Sequence, residues 1–342
     1  MTIREVAERA GVGIATVSRT LHNSSRVSPE TAARVRRAMQ ELGYRPNTHA
    51  QSLVSGRSHM LGLVVSDIIN PFFPELIQGF QDVALQHGYD VFIASTGYDS
   101  SRMSHCVGRM IERKVDGVAI MTSEIDPSLT AQFANRKVPL VFLDVGKPGN
   151  GISNVRIDYA GGITDAVGHL LGLGHTDIAF ISGPVELKSA RERRTAFLSA
   201  LHVLGREQLV EEGNHRVDGG VSAMTRLLRG ATMPTAVLGS NDLTAIGALH
   251  GIHAAGLRVP EDISVVGFDD IAMSEFTVPP LTTVRLPRAE LARVACDALL
   301  GMIGAGGKGA EVRLGTELII RRSTSHRRTA KPTPALTAAP RS

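Results

Sequence analysis

The stretch Thr2-Ile3-Arg4-Glu5-Val6-Ala7-Glu8-Arg9-Ala10-Gly11-Val12-Gly13-Ile14-Ala15-Thr16-Val17-Ser18-Arg19-Thr20-Leu21 decides how the N-terminus is read. Thr2 and Glu5 have capping-box spacing: the threonine hydroxyl serves the amide at Glu5, and the glutamate bonds back. Ile3, Val6, Ala7 and Ala10 recur at helical spacing, which predicts a first helix to about Arg9. Gly11-Val12-Gly13 supplies a tight turn, because glycine tolerates the positive φ that joining two steeply crossed helices demands. A second helix from Ile14 to about Leu21 turns Val17 and Leu21 inward. It leaves Thr16, Ser18, Arg19 and His22 largely outward. Asn23-Ser24-Ser25 breaks it. Ser28 then caps a third helix, with Pro29 at its first position and Gly43 just past its end. Val35, Ala38, Met39 and Leu42 form its apolar stripe.

Three short helices joined this way make a helix-turn-helix. Its second helix carries short polar side chains and an arginine, as a helix lying in the major groove requires. A purely structural three-helix cap leaves Arg34, Arg36, Arg37 and Arg45 unexplained. Charge along the chain agrees. Residues 1–58 hold nine Lys/Arg against four Asp/Glu, residues 59–320 hold 22 against 29, and residues 321–342 hold six against none. A basic head on an acidic body fits a nucleic-acid-binding domain joined to a domain that binds no polyanion.

The whole chain has 342 residues, enough for two or three domains and a sizeable core. Its 43% apolar and 20% charged content is ordinary for a globular protein. No apolar run approaches the ~20 residues of a membrane span, so no membrane partner is expected. The N-terminus lacks the apolar core of a signal peptide, which predicts a cytoplasmic protein. Cys106 and Cys296 have neither disulfide-framework nor metal-site spacing. Neither a metal nor a cofactor is expected. Gly304-Ala305-Gly306-Gly307-Lys308-Gly309 contains G-x-G-x-x-G, but a helix precedes it rather than a strand, and it reads as a loop.

From Met60 onward apolar runs alternate with amphipathic stretches. Strands are predicted at 61–65, 91–95, 117–121 and 140–144, with helices near 74–86, 102–114 and 128–136 between them. A second series places strands at 178–182, 236–239 and 263–268, with helices at 162–171, 190–204, 221–228 and 243–255. A further strand is predicted at 313–321. Repeated βα units imply parallel sheets covered on both faces. Two series imply two lobes, with a cleft at the strands' carboxyl ends where open α/β sheets place ligands. Asp67, Asn70-Pro71-Phe72-Phe73, Asp144, the helix start Ser189–Arg193, Asn241 and Asp269 all fall at such ends. Carboxylates, an amide, an arginine and aromatic rings suit a polyhydroxylated ligand, whose hydroxyls need donors and acceptors.

Ile3–Val12, Ala15–Arg19 and Gly43-Tyr44-Arg45-Pro46-Asn47 resemble the N-terminus of the LacI/GalR family of bacterial repressors, and the likeness extends over residues 2–323. It implies an all-α helix-turn-helix DNA-binding domain followed by an α/β, two-lobed, periplasmic-binding-protein-like domain with three crossovers between lobes. The domains expected are 1–45 for DNA binding, 46–58 as a hinge helix, 59–322 for effector binding and dimerisation, and 323–342 as a disordered tail. The tail has no leucine heptads, so no tetramerising coil is expected.

The resemblance assigns base reading to Ile14, Ala15 and Arg19, and Thr2 joins the DNA-contacting set. Arg19 can donate two hydrogen bonds to guanine. Apolar Ile14 and Ala15 read shape and thymine methyls at most. Thr16, Ser18 and His22 suit phosphates. Asn47, Ala50 and Leu53 match the hinge, with Leu53 as the wedge that kinks a central minor-groove step. Effector contacts implied by the family pattern are Phe72, Phe73, Asp144, Arg193, Asn241 and Asp269, to which Asp67 is added from its place at a strand end. Val221 stands where relatives often carry a ring, which weakens the expectation of a ligand stacked between aromatics. Arg193 and Lys188 favour a sugar acid over a neutral sugar. The reading is a ligand-responsive homodimeric repressor on a pseudo-palindromic operator, with dimer contacts around 76–83 and 276–281. The alternative is a transporter's solute-binding protein. A nicotinamide enzyme is disfavoured because Val64-Val65-Ser66-Asp67-Ile68 offers no glycine fingerprint.

Overall fold

A computed structural model describes residues 1–21, 25–44, 56–122, 136–202, 209–305 and 307–328, and the chain divides into two units, Met1–His59 and Met60–Ser342. In the first unit, helix α1 (Ile3–Ala10) opens on the expected capping box. The Glu5 amide donates to the Thr2 hydroxyl at 3.4 Å, and the Thr2 amide donates to the Glu5 carboxylate at 2.7 Å. Gly11 closes the helix in the left-handed region, φ +63°. Helix α2 spans Ile14–Leu21 and α3 spans Pro29–Glu41, where Ser28 caps α3 by accepting the Thr31 amide at 3.3 Å. Val6, Ala7, Ala10, Val17, Val35 and Ala38 form the core, and Arg9 pairs with Glu41 at 2.6 Å to tie α1 to the end of α3. His22 and residues 45–55, which include most of the expected hinge, lie outside the described residues.

The second unit holds two six-stranded sheets. The first-lobe sheet uses β1 (Met60–Val65), β2 (Asp90–Ser95), β3 (Gly117–Met121), β4 (Leu140–Leu143), β5 (Ile152–Ile157) and β11 (Glu311–Leu314), in the order β11-β5-β4-β3-β1-β2, all parallel. The second-lobe sheet uses β6 (Ile178–Ser182), β7 (Leu209–Glu212), β8 (Ala236–Gly239), β9 (Ser264–Asp269), β10 (Thr282–Arg285) and β12 (Glu317–Ile319), in the order β12-β10-β9-β8-β6-β7. Only β12 runs antiparallel there. The central strands β3, β4, β6, β8 and β9 are buried along their whole length, as helices on both faces require of near-continuous apolar runs.

Helices α4 (Phe72–Gln86), α5 (Ser100–Glu112) and α10 (Arg288–Ala305) clothe the first lobe. Helices α6 (Tyr159–Gly172), α7 (Lys188–His202), α8 (Val217–Arg229) and α9 (Asp242–Ala254) clothe the second. The chain changes lobe three times: from β5 to α6, from β10 to α10, and from β11 to β12.

Three expectations need correction. The single last strand at 313–321 is two strands. Gly315-Thr316 carries the final crossover between them, so β11 pairs with β5 in one sheet and β12 with β10 in the other. Strands β5, β7 and β10 were not expected, because half-buried or polar residues interrupt their apolar runs. The tail is not disordered from 323. Ser323 is fully buried: it donates to the Val265 carbonyl at 2.5 Å and accepts the Thr282 amide at 2.8 Å, while the Ser325 carbonyl lies 2.9 Å from His175 Nε2. Buried backbone groups of the second lobe need partners, and this polar stretch supplies them. Residues 329–342 and most of the helix expected near 128–136 lie outside the described residues.

Candidate functional site

On the first unit, Val17 is fully buried and anchors α2, so the opposite face is held outward. Ile14, Ala15 and Arg19 are exposed, whereas Thr16 and Ser18 are half-buried. A rigid helix with an arginine and two small apolar groups on its free face can enter a major groove and read base edges. Thr2 is exposed, but its hydroxyl already serves as the α1 cap. His22, Asn47, Ala50 and Leu53 lie outside the described residues.

In the second unit, six of the seven residues expected at the cleft line one cavity: Phe72, Phe73, Asp144, Arg193, Asn241 and Asp269. The first lobe contributes Phe72 and Phe73, the opening residues of α4, set edge-to-face with centroids 5.1 Å apart. It also contributes Asp144 just past β4, in the left-handed region at φ +60°. The second lobe contributes Arg193 from α7, Asn241 as the cap of α9 and Asp269 at the end of β9.

Asp67 is the exception. It sits away from the cavity lining, where its carboxylate accepts the Ile69 amide at 3.0 Å and pairs with Arg216 of the other lobe at 3.2 Å. Asn241 is largely spoken for: its oxygen caps the Thr244 amide at 2.8 Å and its nitrogen donates to the His215 carbonyl at 3.0 Å.

Asn70, placed at a strand end by the sequence but given no contact, also lines the cavity, and sequence reasoning missed Tyr98, Tyr159 and His215, which line it too. Tyr159 follows β5 and His215 follows β7, two strands that the apolar pattern did not show, so no strand end marked them. Tyr159 is the more consequential. Its ring supplies a second-lobe aromatic wall that Val221, absent from the lining, does not.

Arg193 is buried and its guanidinium lies 4.7 Å from the Tyr159 ring centroid and 4.1 Å from that of Phe268. It donates to the Ser240 carbonyl at 2.5 Å and to Asp269 at 3.4 Å, and its buried Nε has no partner among the described residues. Burial pushes the Asp269 carboxyl up to about 6, against the pull of Arg193 and Arg288. Burial likewise raises Asp144 to about 6, although the Ile157 amide and Tyr159 hydroxyl oppose the shift. His215, bonded to Ser240 Oγ at 3.0 Å, is lowered by burial and by Arg193 to about 3 and stays neutral. Lys188 points out of the cavity, donating to the Asp144 carbonyl and pairing with Glu192 at 3.4 Å. Arg193 is therefore the cavity's cation among the described lining residues, and a carboxylate already faces it.

The cavity measures about 70 Å³, room for a few waters. A roomier hollow of about 820 Å³ lies between α6 and α7, outside the cleft. Thr164, Thr195 and Ser199 line it, and the convergent buried acids and arginine are on the cleft side, so size here does not mark the site.

Residues 2–47 match the model of bacterial regulatory proteins of the lacI family, and residues 167–324 match a periplasmic binding protein-like domain. The transcriptional regulator DegA of Bacillus subtilis is 34% identical over 95% of this chain and 98% of its own. The chain belongs to the LacI family of bacterial regulatory proteins. The transcriptional repressor CytR of Escherichia coli is 35% identical over 94% of this chain and 96% of its own. A lac repressor dimer bound to operator and an anti-inducer superposes with a TM-score of 0.86 at 32% identity, covering 95% of this chain and 99% of that one.

As a LacI-family member the protein is a DNA-binding transcriptional regulator and not an enzyme. The relatives leave the transporter solute-binding alternative without support. Among the described residues no helix is long and apolar enough to cross a membrane.

Proposed function

We propose that the protein is a repressor acting in the cytoplasm as a homodimer on a pseudo-palindromic operator, released or recruited by a neutral polyhydroxylated molecule such as an uncharged sugar. The observation that carries the ligand class is the pairing of Arg193 with Asp269 at 3.4 Å, with Asp144 on the facing lobe. An anionic ligand meets two buried acids and an arginine already neutralised, whereas hydroxyls meet acceptors and a shared donor. This reading turns away from the sugar acid that Arg193 and Lys188 suggested, because Lys188 faces elsewhere. Phe276 and Val278 are strongly exposed apolar groups and supply part of the dimer face; Leu281 is fully buried and does not.

The test is a thermal-shift series on the full-length protein with neutral sugars, polyols and uronates. A neutral compound should raise the melting temperature in the wild type but not in Asp269→Ala. A uronate outperforming every neutral compound would sink the ligand class. Gel-shift selection of genomic fragments identifies the operator.

A further inference from the structure

Asp144 belongs to the first lobe, yet the second lobe grips it from two sides. Its Oδ1 accepts the Ile157 amide of its own lobe at 2.8 Å. Its Oδ2 accepts the hydroxyl of Tyr159 at 2.7 Å, and its carbonyl accepts Lys188 Nζ. Tyr159 opens α6 and Lys188 opens α7, both second-lobe helices. The Tyr159 ring is buried and fixed within that lobe, beneath the Arg193 guanidinium and 6.0 Å from the Phe268 ring. The tyrosine thus stands just past the first crossover, with its ring in one lobe and its hydroxyl bonded to the other.

We propose that Tyr159 is a positioning residue whose hydroxyl clasps Asp144 across the cleft and holds the two lobes together. The small cavity is the consequence of this clasp. Besides the Lys188 contact, a further cross-cleft tie, Asp67 to Arg216 at 3.2 Å, is weaker because Arg216 is half exposed and water screens it. The buried O–H···O⁻ bond has no such screening.

The consequence for control rests on the effector-cleft reading above. Oδ1 accepts the Ile157 amide and Oδ2 the phenol, so a ligand hydroxyl donating to Oδ2 draws on the same oxygen as the phenol and weakens or replaces its bond. Ligand and clasp compete for one atom, and exchanging them releases one lobe from the other. The bound state is then reached by differential contacts, which any ligand-driven shift between two arrangements requires.

Small-angle scattering of the ligand-free full-length protein tests the clasp without any small molecule. Tyr159→Phe keeps the ring on Arg193 and Phe268 and removes only the hydroxyl. Losing a hydrogen bond to a charged group should move the closed-to-open ratio about ten- to a hundredfold, seen as a larger radius of gyration. Asp144→Asn should open the protein in the same direction, and the double variant should open no further than either. Tyr159→Phe superimposing on the wild-type curve would overturn the clasp, even if Tyr159→Ala opens the protein, because the ring alone would then do the holding. If Tyr159→Phe does not fold, Asp144→Asn decides on the same two outcomes. Failure of the effector-cleft reading shows up separately, as no thermal shift with any compound, and leaves the scattering result standing.

Discussion

Arg19 is the single long donor on the free face of α2, beside apolar Ile14 and Ala15. We propose that sequence discrimination rests heavily on it. Arg19→Ala should remove about 1–3 kcal/mol of discrimination per half-site while leaving salt-sensitive nonspecific binding, measured by competition between operator and scrambled DNA. Unchanged discrimination would place base reading elsewhere.

Asp242 makes a different kind of statement. It is fully buried, accepts the Ile271 amide at 2.8 Å and the Ser274 hydroxyl at 2.7 Å, and so ties α9 to the loop that carries Phe276. Burial and the Asp269 charge raise its carboxyl to about 7. The folded protein thus holds this proton more tightly than the unfolded chain. The resulting stability is present at low pH and is lost as pH rises toward 7, at about 1.4 kcal/mol per pH unit across that window. Asp242→Asn lacks this dependence. Melting curves should show the variant well below wild type at pH 5, with the gap narrowing by pH 8. The opposite-signed histidines, His215 above all, are common to both proteins and cancel in the difference. A gap constant with pH would refute the assignment.

Two of the three helices of the first unit are specified by signals at their own ends: a capping box and a left-handed glycine for α1, and a serine cap before proline for α3. Their core is small, and their service is to hold α2 rigid. Residues 45–55 lie outside the described residues, and the minor-groove wedge at Leu53 that the family resemblance implies is a proposal. Leu53→Ala should weaken operator binding by removing the minor-groove insertion, with nonspecific affinity nearly unchanged. Equal loss on operator and nonspecific fragments would show that Leu53 only supports folding. In the body, β11 and β12 show how two neighbouring strands serve different sheets. Two intervening residues, Gly315 and Thr316, suffice for the crossover.

Control of the protein as a whole depends on three crossovers between two lobes and on what bridges them. Asp144–Tyr159 and Asp67–Arg216 span the cleft itself, while Arg288 beside the second crossover pairs with Glu75 of α4 at 2.8 Å and donates to the Asp269 carbonyl. We propose that a ligand altering these ties changes operator affinity. By linkage, DNA must then change ligand affinity by the same factor. Titration of a neutral sugar found by thermal shift, with and without operator, should give equal coupling in both directions. Arg193→Ala should abolish that coupling while retaining operator binding. Retained coupling in this variant would remove Arg193 from the cleft machinery.

What the sequence determined by itself was local or periodic. The helix-turn-helix followed from caps and turns acting within a few residues, the basic head from charge counts, and the buried central strands from apolar runs that need no knowledge of their neighbours. Asp144, Arg193 and Asp269 were legible as site candidates because they follow or open elements strong enough to be recognised. Tertiary structure decided the rest. Strands β5, β7 and β10 exist because their neighbours complete their hydrogen bonds, and without them Tyr159 and His215 had no visible strand end to mark them. Ser323 is ordered because distant Val265 and Thr282 take its hydrogen bonds. Asp67 went to Arg216, 149 positions away in sequence, and not to the cavity. Such pairings are set by which surfaces the folded lobes bring together, a property that no window of sequence contains.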